Sequence, residues 1–579
     1  MRMTGESVLQ IALVGVTATI LILGSDWGLP SRKRFDLLLA GTPVTPQLLE
    51  ALDASTGEYF EERARADERS LRKLEEGRVP DLHRVEAPDS VYTSAELLRT
   101  FRRFVVGSSA VDERETYIAL GRMEPARFDF NPHGFMYGGA YLYPVGGVLW
   151  LLRLLGLFHP DSGIGHFLAH PEELRAMYLA GRSLNVLAFL GTMVLLGLTA
   201  RRLGSPRLGI LAMLAWGMST LPLNLALVSK PHVWAAFWIA LMIHLLPGYI
   251  LEGRRGSGIG AGVALGLAAG SNIFSAAMGS LPVALLVERD PARSLRRLAP
   301  VLISALATYL ITNPYVLLDP RPYAASILHH GSGEGWGYAV AEIPSALACV
   351  HDLLVRSFAF PLAILGVAQA IVLLFRSGSW DFWKRLALGW LLAFVIVALF
   401  VGVARILVFV GPALCLFAAH ALDRVFRHER FRQPARRRLA GALALGPGLL
   451  FAGLFAADTL DDDAWYEPAA HWIASLSERD APTIGVYGLM EPQDFPALPF
   501  LRVTLLNVEG LRAEKTAPDY VLIGSSRKMG RSWSDHPLHA AYELSHVLGD
   551  RPTAAWLSGL RTESLSRTAA WVYSRKGSR

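Results

Sequence analysis

At 579 residues, 52% hydrophobic and 18% charged, with a mean hydropathy of +0.33, the chain is too apolar for a water-soluble enzyme of ordinary composition. A formal charge of +6 and a pI near 9.3 would suit nucleic acid, but the basic residues gather in short loops beside apolar stretches, so no nucleic-acid partner is expected. The two cysteines, Cys349 and Cys415, lie in or beside apolar segments and supply no disulfide framework.

In chain order, residues 7–24 predict an uncleaved first span, because DWGLP follows them where a cleavable leader has small residues. Residues 46–80 are highly charged, with Leu and Phe at helical spacing, and predict one or two solvated helices inside a long loop. Residues 108–147, SSAVDERETYIALGRMEPARFDFNPHGFMYGGAYLYPVGG, carry the adjacent acids Asp112 and Glu113. A cluster of Asp129, Asn131, His133, Tyr137, Gly138, Gly139 and Tyr141 follows. By residue type alone, a loop acid pair is more often solvated and structural than functional. The stretch 140–157 contains Pro144, Gly146, Gly147 and Arg153. A charge at mid-bilayer costs roughly 3 kcal/mol on insertion scales, so a helix lying at the membrane surface is expected there.

The apolar stretches 181–200, 208–227, 233–251, 258–287, 298–318, 352–375, 386–403, 406–422 and 439–456 are each long enough to cross about 30 Å of hydrocarbon. The longest is broken at Gly270-Ser271-Asn272 and reads as two short crossings, which gives about eleven spans. Loops 201–207, 254–255, 289–297, 376–385 and 424–438 hold nineteen Lys or Arg, against only Lys230, Arg321 and Arg405 in the intervening loops. The positive-inside rule puts the first set in the cytoplasm and 228–232, 314–350 and the tail after 457 outside. If 140–157 lies flat, the loop 25–180 is external too, although Arg32-Lys33-Arg34 pulls the other way.

The tail 458–579 opens with DTLDDD and contains the apolar runs TIGVYGL and DYVLIGS, which read as buried strands of a small external α/β module. No glycine-rich phosphate loop, HExxH or paired CxxC is present. The expected architecture is therefore mainly α: a first helix 1–24, an external loop 25–180, a helical bundle 181–457 and a soluble domain 458–579.

The order of several degenerate motifs adds to this. The acid pair and NPH…YGG…YPVGG are followed by RSLNVLAFLGTMVLLGLTARRLG at 182–204, ALVSKPHVWAAFW at 226–238, GLAAGSNIFSAAMGSLP at 266–282, TNPYVLLDP at 312–320 and ARILVFVGPALCLFAAHAL at 404–422. To about residue 460 this resembles the GT-C superfamily of integral membrane glycosyltransferases, which includes protein O-mannosyltransferases and aminoarabinose transferases. In many relatives the acid pair follows the first span closely, whereas about 85 residues intervene here.

The resemblance implies transfer of a sugar from a polyprenyl-phosphate donor to a glycan, lipid or protein acceptor at the outer face of the cytoplasmic (inner) membrane, with inversion. Asp112 would be the general base. Glu113 would orient the acceptor or help hold a divalent metal such as Mg or Mn. Lys230 and Arg405, lone cations in short outward junctions, would meet the lipid phosphate, although snorkelling to headgroups explains them as well. Arg182 would hold the acidic loop or the phosphate. Asp129 and His133 would contact the sugar or a metal and Tyr137 the substrate, with His232, His329 and His330 as further candidates; an Asx turn before Pro132 accounts equally for Asp129. A lipid-sugar flippase is the alternative, and it predicts acids and broken helices at the bilayer midplane. A scaffold that binds an envelope polymer is another, and it would not need the acid pair.

Overall fold

The structure, a computed structural model, describes residues 5–39, 41–76, 92–108, 110–331, 347, 349–400, 404–429, 433–460, 472, 482–487, 498, 500–508, 517–524, 533–548 and 570–576. Helix α1 (Gly5–Gly24) turns Ile11, Val16 and Ile22 outward, as contact with lipid requires. Three helices follow in the loop: α2 (Arg32–Leu39), α3 (Pro46–Glu75) and α4 (Ser94–Val106). The charged stretch after residue 46 is thus one helix of 30 residues. Helix α4 starts where Thr93 and Glu96 cap each other's backbone N–H groups.

Next come α5 (Arg114–Gly121), α6 (Gly139–Leu154), α7 (Ile164–Ala169) and α8 (Pro171–Leu203). The 16 residues of α6 reach about 24 Å, short of the hydrocarbon core. Tyr141, Leu142 and Val145 in its first half are buried, while Trp150, Leu151 and Leu154 in its second half are exposed.

The bundle continues with α9 (Pro206–Gly217), α10 (Thr220–Ala226), α11 (Pro231–Ile250), α12 (Arg255–Ser271), α13 (Ser280–Leu286) and α14 (Pro291–Thr312). Short helices α15 (Tyr315–Leu318) and α16 (Pro320–Gly331) precede α17 (Phe360–Phe375), α18 (Phe382–Phe400), α19 (Gly411–Arg427) and α20 (Pro434–Leu460). Among the described residues, six helices are long and apolar enough to cross a membrane, or up to eight if two bent pairs each count as a span.

Fewer than the eleven or so expected are that long among the described residues, because polar breaks shorten several apolar stretches, as in α12 and α19 of 17 residues each. The 258–287 stretch divides at the predicted place: Asn272 accepts the N–H of Phe274 at 3.1 Å and starts a 3-10 segment, Ile273–Gly279, that runs into α13. The 406–422 stretch divides into a 3-10 turn, Ala404–Phe409, and α19 of 17 residues.

The tail forms the small sheet expected of it. Strands β1 (Thr483–Tyr487), β2 (Thr504–Asn507), β3 (Tyr520–Gly524), β4 (Tyr542–Leu548) and β5 (Ala570–Arg575) lie in the order β2-β1-β3-β5-β4. The first three pair in parallel and β5 runs antiparallel to both its neighbours. This sheet shares a core with the first loop: Phe35, Leu38, Phe101 and Phe104 pack with Ile484, Phe500 and Leu505. The Phe104 and Phe500 rings lie 5.1 Å apart, and Tyr92 N–H donates to Leu505 C=O at 3.0 Å. Loop and tail are therefore one folded module.

Candidate active site

The acid pair sits in a 3-10 turn, Val111–Glu113, that leads into α5. Glu113 is fully buried. Its Oε1 accepts Arg182 Nε–H at 2.8 Å and the Ser229 backbone N–H at 2.5 Å. Its Oε2 accepts Arg182 Nη2–H at 2.7 Å and the Ser108 hydroxyl. All four acceptor positions of the carboxylate are thereby used. Arg182, equally buried, spends Nη1 on the carbonyls of Ser25 and Trp27, each at 2.7 Å. This bidentate pair ties the end of α1, the acidic turn, α8 and the junction before α11 into one block.

The junction residues 227–230 are fixed from two further sides. Asn185 donates to the carbonyls of Val228 at 2.6 Å and Lys230 at 2.7 Å. Thr116 donates to Ser229 C=O at 2.8 Å, and the Tyr141 and Tyr117 hydroxyls each lie 3.1 Å from Ser229 Oγ. Gly181 makes this approach feasible, since a Cβ there would stand 1.8 Å from Ser229 Oγ.

Asp112 faces the other way. Its side chain is 40% exposed, and its Oδ2 alone receives both Lys230 Nζ and Arg405 Nη1, each at 2.6 Å. Lys230, 3% exposed, is the N-cap of α11, and Arg405 lies in the 3-10 turn before α19. The Lys230 charge, reinforced by that of Arg405 against the opposing effect of burial, holds the Asp112 carboxyl well below the usual carboxylate range. The three residues expected to form a catalytic and phosphate-binding group are therefore adjacent. Their contacts also put the acidic turn at the same end of the bundle as the two junctions that precede α11 and α19.

Glu113 has no free acceptor position for a divalent metal, and two protein cations occupy Asp112 Oδ2, so within the acid pair a metal would have to be met at Asp112 Oδ1. The Glu113 carboxylate that was expected to orient the acceptor or help hold Mg or Mn is engaged by Arg182, Ser229 and Ser108, contacts that hold the acidic turn in place. Arg182 holds the acidic loop.

Tyr137 and His232 border the Asp112 group. The Tyr137 ring meets His232 edge-on at 6.4 Å, and His232, 1% exposed, stacks on Phe409 at 6.1 Å. Burial, with the Asp112 charge as the next cause, pushes the Tyr137 phenol up. Neither ring nitrogen of His232 has a hydrogen-bond partner among the described residues.

Asp129 and His133 belong to a turn on another side. Asp129 Oδ1 accepts the Asn131 N–H at 2.8 Å, which is the Asx turn, and a Tyr315 hydroxyl at 3.3 Å. His133 takes a positive φ of 48° and lies 4.0 Å from Asp129. His329 and His330 close α16, and their side chains fall outside those described. Sequence reasoning passed over Ser229 and Asn185 as parts of the site. Asn185 had a readable signal: it stands one helical turn from Arg182 near the start of the apolar stretch 181–200.

A multi-pass helical bundle with a carboxylate and two cations gathered at one end of its junctions is the class of molecule that these features define. No family model and no curated protein matches the sequence. Solved structures do. Archaeal oligosaccharyltransferase AglB from Archaeoglobus fulgidus, in complex with an inhibitory peptide and a dolichol-phosphate, is similar at 12% identity over 71% of this chain and 65% of that one, with a TM-score of 0.42. ArnT from Cupriavidus metallidurans bound to undecaprenyl phosphate is similar at 14% identity over 80% of this chain and 93% of that one, also with a TM-score of 0.42. The chain spans just under two thirds of the oligosaccharyltransferase.

Proposed function

We propose that this chain transfers a sugar from a polyprenyl-phosphate donor to an acceptor at the outer face of the cytoplasmic membrane, with inversion, and that Asp112 is the general base. The observation that carries the reading is the convergence of Lys230 and Arg405 on one oxygen of a half-exposed aspartate, at the end of the bundle opposite the Arg-rich loops. The charge asymmetry of the loops supports an external position for that end.

The same geometry sets an order of events. While both cations sit on Asp112 it is a weak base. A lipid phosphate that enters the junctions competes for Lys230 and Arg405 as a stronger, multiply charged acceptor. Once they turn to it, the proton affinity of Asp112 rises toward the ordinary carboxylate range. The acceptor hydroxyl or amine then attacks the anomeric carbon from the face opposite the phosphate. Its proton passes to Asp112, the new bond to carbon forms, and the bond from carbon to the phosphate oxygen breaks. The electron pair remains on the phosphate, where Lys230 and Arg405 stabilise the developing charge. Glu113 takes no part in this transfer and keeps the turn in place.

The test uses purified protein in proteoliposomes supplied with a radiolabelled polyprenyl-phosphate sugar. Transfer or hydrolysis of the label supports the reading. Movement of intact donor across the vesicle without cleavage favours the flippase, and neither outcome favours a scaffold.

A further inference from the structure

Between α6 and α8 lies a second set of converging polar side chains. His159 is in the loop after α6, His166 is in α7 and Glu173 is in the first turn of α8, each seven residues from the next. His159 Nδ1 and His166 Nε2 each lie 2.9 Å from the same Glu173 oxygen, Oε1. One donor atom from each residue lies within 4.8 Å of the other two. The other carboxylate oxygen, Oε2, accepts the backbone N–H of His159 at 2.9 Å. Glu173 is thus held from behind while Oε1 faces the two rings. The Glu173 side chain is 11% exposed, against 51% for His159 and 31% for His166, so the rings form an open mouth over a buried acid. Asp53 of α3 steadies the segment by accepting the Ile164 N–H at 2.9 Å.

Each imidazole N–H can be donated to the carboxylate in the absence of an ion, but the donor atoms of two rings from separate elements and of the acid also lie within 4.8 Å of one another beneath a solvent-facing opening. Two imidazoles and a carboxylate are a ligand set suited to zinc, with at least one position left for water. The backbone hydrogen bond to Oε2 is the kind of outer contact that orients a ligating carboxylate. Imidazole donors favour zinc, copper or nickel over magnesium, calcium or manganese.

We propose that His159, His166 and Glu173 form a zinc-type metal site, in which the proton on each coordinating ring nitrogen passes to the other nitrogen of the same neutral ring, or to solvent from an imidazolium, and the rings open slightly to admit the ion. The ion would clamp the end of α6 to the first turn of α8, the helix that carries Arg182 one span-end further on. It is a positioning site, separate from the Asp112 centre, and it stands whether or not the transferase reading does.

The experiment is a titration of full-length, chelator-stripped protein in detergent, first with cobalt(II) and then with zinc(II), read by visible absorption and bound-metal analysis. The expected result is one equivalent per chain, with a low-symmetry cobalt spectrum that zinc abolishes. His166→Ala, Glu173→Gln and, in the exposed loop where folding is least at risk, His159→Ala should each weaken zinc binding at least about 10- to 100-fold. Asp112→Asn should keep the full equivalent. Zinc should raise the thermal midpoint of the unsubstituted protein and leave that of His159→Ala in place. No stoichiometric equivalent in the unsubstituted protein, undiminished binding by His159→Ala, or loss of the equivalent in Asp112→Asn would each overturn the proposal.

Discussion

Asp112 and Glu113 are neighbours in sequence, and each is paired with an arginine, yet the fold treats them oppositely. Glu113 is enclosed, its four acceptor positions filled by one guanidinium, one backbone N–H and one hydroxyl. Asp112 is half open, and a single oxygen of it bears two cations from two different junctions. A saturated buried pair resists change, because removal of either partner strands a charge in a low dielectric. An unsaturated pair at a surface can exchange partners when a competing anion arrives. The first arrangement suits an anchor and the second a reacting group.

The sharpest way to break this comparison is to neutralise each acid in turn. Asp112→Asn should lower kcat by about 10²- to 10⁴-fold, the usual contribution of a positioned base, while polyprenyl-phosphate binding persists; turnover assays with a separate lipid-binding measurement check both halves. Glu113→Ala should instead act on folding, with a loss of about 3–5 kcal/mol for a broken buried pair, read as a lower thermal midpoint in detergent. If Glu113→Ala kept its midpoint and lost only turnover, the anchor reading would fail.

A smaller effect is expected from Gly181→Ala. The added methyl would press on Ser229 and should cost about 1–3 kcal/mol as overpacking. It should also displace Lys230 and so raise KM for the donor more than it lowers kcat, which donor saturation curves would show.

The pH profile refines the comparison further. Because the Asp112 pKa is depressed in the resting protein, its anion persists as pH falls. Any stability from the three-way pair is present above the unfolded value of about 3.9 and is lost only as pH drops through the lower folded value. The acid limb of kcat/KM, which reports the free protein, should therefore lie below about pH 4. Lys230→Met should move that limb upward, toward the ordinary carboxylate value. An unmoved limb would detach Lys230 from the ionisation of Asp112.

Much of the fold was legible because lipid imposes a coarse pattern: apolar stretches, basic loops and a break wherever Gly, Ser and Asn interrupt a run. Asn272 illustrates this, since the residue that interrupts the apolar pattern is the one that caps the next segment. The short runs around Ile484 and Leu522 were legible as strands for a similar reason, being apolar islands in a polar tail. The number of crossings was not, because composition does not show where a helix bends, as between α9 and α10, at 65°.

In the site, Lys230 and Arg405 stood out as lone cations in short junctions, whereas Asp112, one of many loop acids, was singled out by the family resemblance. What sequence did not disclose was how fully Glu113 is enclosed, which depends on Arg182, Ser229 and Ser108 all reaching its carboxylate. Nor did it disclose His159, His166 and Glu173, whose spacing crosses a loop and two helices before the side chains meet.

The shared core of the first loop and the tail bears on how the protein is made. Phe104 leaves the ribosome about 400 residues before Phe500, its packing partner, an interval of roughly 20–80 s at about 5–20 residues per second. Throughout that time Phe35, Phe101 and Phe104 lack their final cover. Membrane insertion must therefore run ahead of completion of this module, and the last strands to be synthesised close a core begun by some of the first helices.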